Sequence, residues 1–435
     1  TSIARRRFMA LAGGLAAAPL AGLADASAAP QAKPAAATAR PGRRQRQPNV
    51  LFVFTDQERY LKDLPPGFTL PGHERLMRRG VSFANHYCPA VMCTSSRAVL
   101  LTGLQTPDNR MFENADMPYV QALSTKVQTI GHMLRKAGYY TAYKGKWHLD
   151  REFDTDEPSR LFAKEMDAYG FSDFAWPGDV LAHSLGGYKH DQMIAGSAIS
   201  WMRERGQQLN ADGKPWSLFV SLVNPHDITL WGDLTVAADL SGQQGSFYLA
   251  QQLVGSNVPH NLFGPAYDQS STESLSTKPA AQASYVAQYP KGFQPHGNEG
   301  AYHRFYYQLQ KNVDEQIGKV INALTDYFFI YRETIVIYMS DHGDVLGAHG
   351  GMFQKWHNAY DEMMRVPFIF HNPQLFPRYE TSDVLTSHAD IIPTILGLAG
   401  LDLERRRLAD HDLFAVALLN VLADRHDAEV EQDRL

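Results

Sequence analysis

The chain has 435 residues, of which 44% are hydrophobic and 11% aromatic, enough for one large α/β domain or for two or three smaller ones. The net charge of −5 is unevenly distributed, because residues 1–47 carry +7 and the rest of the chain carries −12. An acidic globular part argues against nucleic acid as a general partner.

The N-terminus has the pattern of an export signal. Three arginines, Arg5 to Arg7, precede an apolar run that extends to about Leu23, and small residues around Ala28 provide a cleavage pattern. The run is too short and too mildly hydrophobic for a stable membrane span. The RRRFM stretch resembles a twin-arginine signal, with an ordinary secretory signal as the alternative.

We therefore expect a twin-arginine export signal at residues 1–29 and a disordered linker at residues 30–47. The twin-arginine translocase is then a partner, and the mature protein is periplasmic or secreted. Export would place the two cysteines, Cys88 and Cys93, in an oxidising compartment, where a disulfide between them is one alternative.

Three continuous apolar runs are predicted to be buried strands. They cover residues 49–54, 216–223 and 333–339, and each ends in a polar cluster that contains Asp. Runs that are apolar on both faces are typical of parallel strands, and open sheets of such strands bind ligands at their carboxyl ends. We therefore expect a functional site where these three runs end.

Helical segments alternate with the strands. A helix is predicted at residues 125–137, followed by a strand at 139–143, and a long amphipathic helix at 302–324. This alternation predicts an α/β fold with a mostly parallel central sheet flanked by helices. A domain at 48–400 would then contain a lid insertion with little regular structure at 232–300.

The polar clusters contain a candidate metal site. Asp56 and Gln57 follow the first strand, and Asp341 and His342 follow the last. Either pair alone is compatible with an ordinary loop or turn, but together they offer carboxylate, amide and imidazole ligands. This set suits a hard divalent cation, with Ca²⁺ as the first choice and Mn²⁺ or Mg²⁺ as alternatives.

The segment VMCTSSRAVLLTG, residues 91–103, contains a candidate nucleophile. It places Cys93 at a predicted helix start, one turn before Arg97. A thiol near a helix start and a cation is more acidic than usual and can attack a substrate or bind a metal. The purely structural alternative for the serine pair is that Ser96 caps the same helix.

Five motifs, in chain order, resemble those of type I sulfatases, which belong to the alkaline-phosphatase-like superfamily. They are PNVLFVFTDQ, CTSSRAVLLTG, GYYTAYKGKWHLD, YMSDHGD and KWHNAYDEMMRVPFIF. The resemblance covers most of residues 48–400 and implies an alkaline-phosphatase-like fold. The short tail, residues 401–435, implies a short or reduced C-terminal subdomain.

The resemblance also implies a mechanism. A formylglycine-generating enzyme would oxidise Cys93 to formylglycine (3-oxoalanine), and the hydrated aldehyde would attack the sulfur of a sulfate monoester. The second hydroxyl of the hydrate would then help to expel sulfate. The substrate would be the sulfate ester of a small molecule or a saccharide, and one divalent metal ion would assist.

Each motif position then carries an expected role. Arg97 would steady the formylglycine, and Asn114 would bring an amide to the substrate oxygens. Lys146 and His148, predicted to share one face of an extended segment, would meet the sulfate and the nucleophile. The metal would be bound by Asp56, Gln57, Cys93, Asp341 and His342. The substrate would be bound by His226 and Lys355, which would also protonate the leaving oxygen. His349 and His357 are interpreted as polar residues near the site.

Two departures from the sulfatase pattern leave alternatives open. Ser95 stands where the signature usually has Pro, and the oxidising enzyme reads that position. The Asp-Gln pair resembles choline-sulfatase-like and phosphonate monoester hydrolase-like relatives, although Lys146 and His148 favour sulfate monoesters. The alternatives are a phosphonate monoester or phosphodiester hydrolase on the same fold, and a non-catalytic homologue with unconverted Cys93.

Overall fold

The predicted first strand lies in the middle of the sheet. In a computed structural model of the chain, residues 49–56 form a strand whose eight residues are all buried. The structure describes residues 47–60, 64, 67–154, 160–175, 178–179, 185–230, 258, 269–292 and 299–400. The predicted export signal, nearly all of the linker and the C-terminal tail lie outside these residues and stay predictions. No described helix is long and apolar enough to cross a membrane.

The described residues form a mixed sheet of seven strands. These are β1 (Asn49–Asp56), β2 (Gly80–Tyr87), β3 (Tyr140–Gly145), β4 (Trp216–Pro225), β5 (Thr334–Ser340), β6 (Phe368–His371) and β7 (Glu380–Ser387). Their order is β3-β4-β1-β5-β6-β2-β7. The pairs β3–β4, β4–β1, β1–β5 and β2–β7 are parallel, and β6 is antiparallel to both of its neighbours. The predicted mostly parallel α/β sheet is confirmed.

Helices flank this sheet. They are α1 (Pro71–Met77), α2 (Cys93–Thr102), α3 (Thr106–Asn109), α4 (Ile130–Lys136), α5 (Ala163–Ala168), α6 (Gly186–Trp201), α7 (Gln207–Ala211), α8 (Ala280–Gly292), α9 (Glu299–Thr325), α10 (Phe328–Arg332), α11 (Asp361–Met364) and α12 (Ile391–Leu398). A π-helical turn, Met202–Gly206, joins α6 to α7. The predicted long amphipathic helix corresponds to α9.

Two sequence expectations need correction. The helix predicted from residue 125 begins only at Ile130, because Thr129 is extended and its side chain accepts a hydrogen bond from the backbone N–H of His132. The preceding residues form a turn in which the N–H of Val127 donates to Ser124 O over 2.9 Å. The insertion expected to have little regular structure contains α8, the start of α9 and two short 3-10 turns in its described part.

A buried ionic network attaches α1 and α9 to the end of β1. The His73 ring contacts Glu58 Oε1 at 2.8 Å through Nε2 and Asp314 Oδ1 at 2.5 Å through Nδ1. Thr55 and Tyr338 donate hydrogen bonds to the other carboxylate oxygen of Glu58. Both ring nitrogens face carboxylates, so the arrangement is satisfied by a doubly protonated imidazolium. The network holds Glu58 one residue beyond the predicted metal pair.

The electrostatics of this network predict a pH-dependent stability. Burial lowers the pKa of His73, but the charge of Glu58 and hydrogen bonds to Asp314 and Glu58 outweigh burial and raise it to about 10. Because the pKa in the folded protein is above the usual value of about 6.5, the stabilisation is complete below that pH and is lost as the pH rises towards 10.

We expect His73→Asn to lower the free energy of unfolding by about 3–5 kcal/mol at pH 6, since it leaves two buried carboxylates unpaired. Denaturant unfolding between pH 6 and pH 10 measures the difference in the free energy of unfolding between wild type and variant. This difference should become smaller as the pH rises. His357→Asn, at an imidazole whose side chain is 69% exposed, is the control. A loss for His73→Asn that is independent of pH would contradict the assignment.

Candidate active site

The predicted site residues converge at the carboxyl edge of the sheet. Asp56 ends β1, Asp341 follows β5, Lys146 follows β3, and His226 follows β4. These four strands are adjacent and parallel, so their carboxyl ends meet at one edge. Helix α2 brings Cys93 to the same point.

Cys93 is the first residue of α2 and is fully buried. Its Sγ lies 3.0 Å from Lys355 Nζ, 3.2 Å from His342 Nε2 and 3.5 Å from Asp56 Oδ1. The disulfide alternative is excluded, because Cys88 and Cys93 are both free. The thiol is therefore surrounded by the two polar clusters that follow β1 and β5.

The predicted cap of α2 is wrong. The N-cap residue is Met92, and it makes no side-chain hydrogen bond to the helix. Ser96 Oγ instead donates to the backbone oxygen of Asp341 at 2.5 Å and lies 3.1 Å from His388 Nδ1. Ser96 thus connects α2 to the chain that follows β5.

Arg97 joins the two carboxylates of the cluster. Its Nη2 donates to Asp56 Oδ2 at 2.9 Å and its Nε to Asp341 Oδ2 at 2.8 Å. Its Nη1 donates to Lys146 O and to Ser221 Oγ. All three charged side chains are completely buried. These bonds direct the Oδ1 atoms of both carboxylates towards Cys93 and His342.

The donor set fits a divalent cation. Ligand atoms of Asp56, Cys93, Asp341 and His342 all lie within 4.8 Å of one another. His342 Nε2 is 3.6 Å from Asp56 Oδ1 and 3.7 Å from Asp341 Oδ1. Ligands bound at right angles to an ion with bonds of 2.3–2.6 Å lie about 3.3–3.7 Å apart, which is the range for Ca²⁺. The spacing for Mg²⁺ would be about 2.9 Å.

The protonation states of the cluster are compatible with a bound metal. Burial and the charge of Asp56 raise the pKa of Asp341, and burial lowers the pKa of His342. Burial by itself would raise the pKa of Asp56, but Lys146, His226 and Arg97 hold it well below its usual value. A neutral imidazole is the form that binds metal, and a cation would keep both carboxylates ionised.

Gln57 lies beside the cluster in a left-handed conformation, with φ of 71°. Its backbone N–H donates to Asp341 Oδ1 at 3.1 Å. Its Oε1 accepts from Lys355 Nζ at 2.6 Å and from Thr229 Oγ1 at 2.9 Å. Lys355 therefore connects the amide oxygen of Gln57 to the thiol of Cys93.

Lys146 and His148 do not lie on an extended segment as predicted. Strand β3 ends at Gly145, and His148 has φ of 59°, in the left-handed region. Lys146 Nζ donates to Asp56, whereas His148 Nε2 lies 3.4 Å from Asp116 Oδ1. Both residues are nevertheless buried.

His226 and Lys355 differ in their electrostatic environment. Burial, followed by the charges of Lys146 and Lys355, lowers the pKa of His226 well below its usual value. Burial also disfavours a charged Lys355, but Cys93 and Asp56 outweigh this and raise its pKa. Lys355 is thus the member of the pair that holds a proton.

Residues 48–401 match the family described as Sulfatase. The chain belongs to the sulfatase family. This confirms the resemblance, and it makes the protein a sulfuric ester hydrolase.

The sulfatase matches about three quarters of the length of two named relatives. It is 28% identical over 414 residues to the uncharacterized sulfatase YidJ of Escherichia coli (strain K12), with 89% of this chain and 75% of that protein covered. It is 26% identical over 408 residues to the choline-sulfatase of Rhizobium meliloti (strain 1021), with 86% and 72% covered. Among solved structures, the phosphonate monoester hydrolase of Silicibacter pomeroyi has a TM-score of 0.56 at 19% identity, covering 82% of this chain and 74% of that chain, which supports the shared fold alone.

The structure also locates the other predicted residues of the sulfatase. Asn114 Oδ1 accepts from the backbone N–H of Thr94 at 3.3 Å, next to Cys93. His357 is largely exposed, 3.6 Å from Glu113 Oε2. His349 lies between Glu273 and Glu362, with its ring nitrogens 3.0 Å and 2.9 Å from their carboxylates. That contact joins the described end of the insertion to the chain around α11.

Ser95, the departure from the sulfatase signature, is buried in α2. Its hydroxyl has no hydrogen-bond partner among the residues that the structure describes. A buried hydroxyl without a partner costs about 1–3 kcal/mol, so Pro or Ala at this position would avoid that penalty. The structure therefore gives no packing reason for Ser at position 95.

Sequence reasoning missed Asp179, which holds the loop after β3. Its two carboxylate oxygens accept the backbone N–H groups of Trp147 and His148, each at 2.6 Å. Gly178 has φ of 109°, and a Cβ there would lie 2.2 Å from Phe153 O, so only Gly allows the chain to approach this closely. No local pattern in the sequence connects Asp179 to a loop about thirty residues earlier.

We expect Asp179→Asn to lower kcat/KM by up to about 100-fold, because an amide cannot accept both N–H groups and Lys146 and His148 would shift. Steady-state kinetics measures this, and circular dichroism monitors the fold. Asp173→Asn is the matched control, since Asp173 accepts hydrogen bonds from Tyr140 and Trp201 away from the site. Equal kinetics for both variants would contradict the role of Asp179.

Proposed function

We propose that this sulfatase hydrolyses sulfate monoesters with a formylglycine nucleophile made from Cys93 and with one bound divalent cation. The observation that carries the proposal is the position of the Cys93 thiol, between Lys355 Nζ at 3.0 Å and the carboxylate–imidazole cluster. A nucleophile at this point lies next to both a proton donor and a metal site. Neither a structural thiol nor a disulfide would need such surroundings.

The surrounding charges support a role in binding an anionic ester. Lys146 and Lys355 are buried beside the nucleophile position and supply two positive charges in a region shielded from water. Fixed cations of this kind are worth more in a buried site than in water, because no solvent has to reorganise when charge develops on the substrate. Arg97 is already used by Asp56 and Asp341, so its part is to keep their oxygens in place.

The proton for the leaving oxygen would come from Lys355. The charge of Asp56, which does not change when Cys93 is converted, also raises the pKa of Lys355 and favours its ammonium form, whereas the lowered pKa of His226 leaves a neutral imidazole. Two neighbouring groups with pKa values shifted in opposite directions are typical of an acid and its hydrogen-bonding partner. His226 would then orient the ester rather than protonate it.

The cation would be held by Asp56, Asp341 and His342, with Gln57 contributing its amide oxygen. A divalent ion in this cluster supplies positive charge that stabilises the negative oxygens of the sulfate during transfer. Ca²⁺ is our first choice, because the donor separations of 3.6–3.7 Å match its bond lengths. Mn²⁺ remains a weaker alternative on ligand type.

Maturation would have to precede folding. Cys93 and Ser95 are buried, and so is every other residue of α2. A formylglycine-generating enzyme could reach this segment only while it is unfolded. The hydrated formylglycine, once formed, supplies one hydroxyl for attack and a second for release of sulfate.

The alcohol half of the substrate is proposed to be a small molecule or a saccharide. A relative named choline-sulfatase supports a small alcohol, and the shared fold of a phosphonate monoester hydrolase defines the main competing reaction. A panel of choline sulfate, sulfated monosaccharides, an aryl sulfate, and matched phosphate and phosphonate esters distinguishes these. Higher kcat/KM on phosphonates than on every sulfate would overturn the substrate proposal.

Cys93→Ala should reduce turnover to background while leaving the thermal midpoint nearly unchanged, because the nucleophile is lost and little packing changes. Cys88→Ala is the matched control and should keep most of the activity, since Cys88 is the buried free thiol outside the signature. Peptide mass spectrometry of the wild type should show the mass loss that accompanies replacement of the thiol by an aldehyde. Activity from a wild type with only unmodified Cys93 would overturn the formylglycine proposal.

Asp341→Asn should weaken Ca²⁺ binding and lower kcat by more than about 100-fold. The reason is that it removes the charge of a side chain that would bind the metal directly, not of one that only hydrogen-bonds to a ligand. Chelation of the wild type should abolish activity, and added Ca²⁺ should restore it. Isothermal titration calorimetry and steady-state kinetics measure the two effects. Full activity of thoroughly metal-stripped protein would sink the metal proposal.

A further inference from the structure

The side-chain amide of Gln57 has a partner on every side. Its Nε2 donates to Asp344 Oδ2 at 2.6 Å and to Gln354 Oε1 at 3.0 Å. Its Oε1 accepts from Lys355 Nζ at 2.6 Å and from Thr229 Oγ1 at 2.9 Å. The two acceptors thus lie on the nitrogen side and the two donors on the oxygen side.

Only one orientation of this amide satisfies its neighbours. If oxygen and nitrogen were exchanged, the oxygen would face the Asp344 carboxylate and the amide oxygen of Gln354. The NH₂ group would then face the ammonium of Lys355, which has no acceptor. Because all these groups are buried, such mismatches would cost several kcal/mol in total. The surroundings therefore fix the amide.

Asp344 is itself held firmly. Its other oxygen, Oδ1, accepts the backbone N–H of Leu346 at 2.7 Å, and its side chain is completely buried. Gln354 is held in turn, since its Nε2 donates to Tyr302 Oη at 3.0 Å. With one oxygen bonded to the backbone, Asp344 presents its remaining oxygen to the NH₂ group of Gln57.

We propose that Asp344 is a positioning residue that turns the amide oxygen of Gln57 to the side of Lys355 and Cys93, where it could bind the metal, and that the carboxylate of Asp344 is matched to an amide, not to a carboxylate, at position 57. This inference rests on the metal centre of the proposed function. An amide can bind a cation only through oxygen, so an acceptor behind its nitrogen decides whether it acts as a ligand. A carboxylate at position 57 needs no such acceptor and would be repelled by Asp344.

The proposal predicts that one substitution has opposite effects in two backgrounds. In the wild type, Asp344→Asn should weaken Ca²⁺ binding by about 10–100-fold, because Asn can accept or donate and the orientation of Gln57 is no longer fixed. In a Gln57→Glu background, the same Asp344→Asn change should strengthen Ca²⁺ binding, because Asn can donate its NH₂ group to the Glu carboxylate, whereas Asp344 would push that carboxylate out of place or share a proton with it. Glu has the same length as Gln, so the side chain still reaches the same place.

The test is a double-mutant cycle of Gln57→Glu and Asp344→Asn, with Ca²⁺ affinity measured by calorimetry on the full chain. The thermal midpoint without metal is the second readout, where Gln57→Glu should be destabilising and Asp344→Asn should restore stability in that background. Asp173→Asn is the matched control and should leave Ca²⁺ affinity unchanged. Gln354→Leu, which removes the second acceptor and keeps Asp344, should weaken binding in the same direction but less.

The outcomes separate the inference from the proposed function. If the wild type binds Ca²⁺ and Asp344→Asn changes the affinity equally in both backgrounds, the matching of Asp344 to an amide is wrong while the metal site stands. If the wild type binds none of Ca²⁺, Mg²⁺ and Mn²⁺, the proposed metal centre fails and this inference fails with it. If Asp344→Asn does not fold, Gln57→Glu decides, and an unchanged thermal midpoint of that variant without metal overturns the inference.

Discussion

The structure of the site depends on one buried guanidinium. Arg97 reaches from α2 to the carboxylates at the ends of β1 and β5, bonding Oδ2 of Asp56 and of Asp341. Two carboxylates so close together in a dry region would repel each other strongly without this charge, and one of them would take up a proton. The arginine also fixes which oxygens remain for a metal. Removing one member of such a group typically costs about 3–5 kcal/mol, because the others are left uncompensated.

Two residues near this centre have a strained backbone conformation. Gln57 and His148 both have positive φ, a conformation that costs of order 1–3 kcal/mol for residues other than glycine. Each is stabilised by a carboxylate that accepts its backbone N–H, Asp341 for Gln57 and Asp179 for His148. The strain is therefore balanced by charged acceptors, which is why their loss should disturb the site more than the fold.

A second buried ionic group lies directly behind the first. Glu58 follows Gln57 in the chain and binds His73, which is also bound by Asp314 of α9. Gln57, which is proposed to bind the metal, and Glu58, which anchors the end of β1 to two helices, are thus neighbours in sequence. The helices therefore restrain Gln57 through its neighbour Glu58. They also restrain Gln57 directly, because its backbone oxygen accepts a hydrogen bond from Tyr306 of α9.

The sequence by itself predicted β1, β3, β4 and β5 and named the candidate site residues, but it did not predict β2, β6 and β7. Continuous apolar runs predicted β1, β4 and β5, because a strand buried on both faces leaves that signal wherever it lies. The polar clusters after β1 and β5 named Asp56 and Asp341, the predicted helix start named Cys93, and the motifs identified the family. Only the tertiary structure decided the left-handed backbone at His148 and the hydrogen bond that Ser96 donates to Asp341. It also decided which groups hydrogen-bond to Asp179 and Asp344. Each depends on hydrogen bonds between residues far apart in the chain, or on a backbone angle that a local pattern does not encode. The orientation of the Gln57 amide is the clearest case. The sequence does not say which way the oxygen and the nitrogen of the amide point, and only the buried neighbours of the amide decide it.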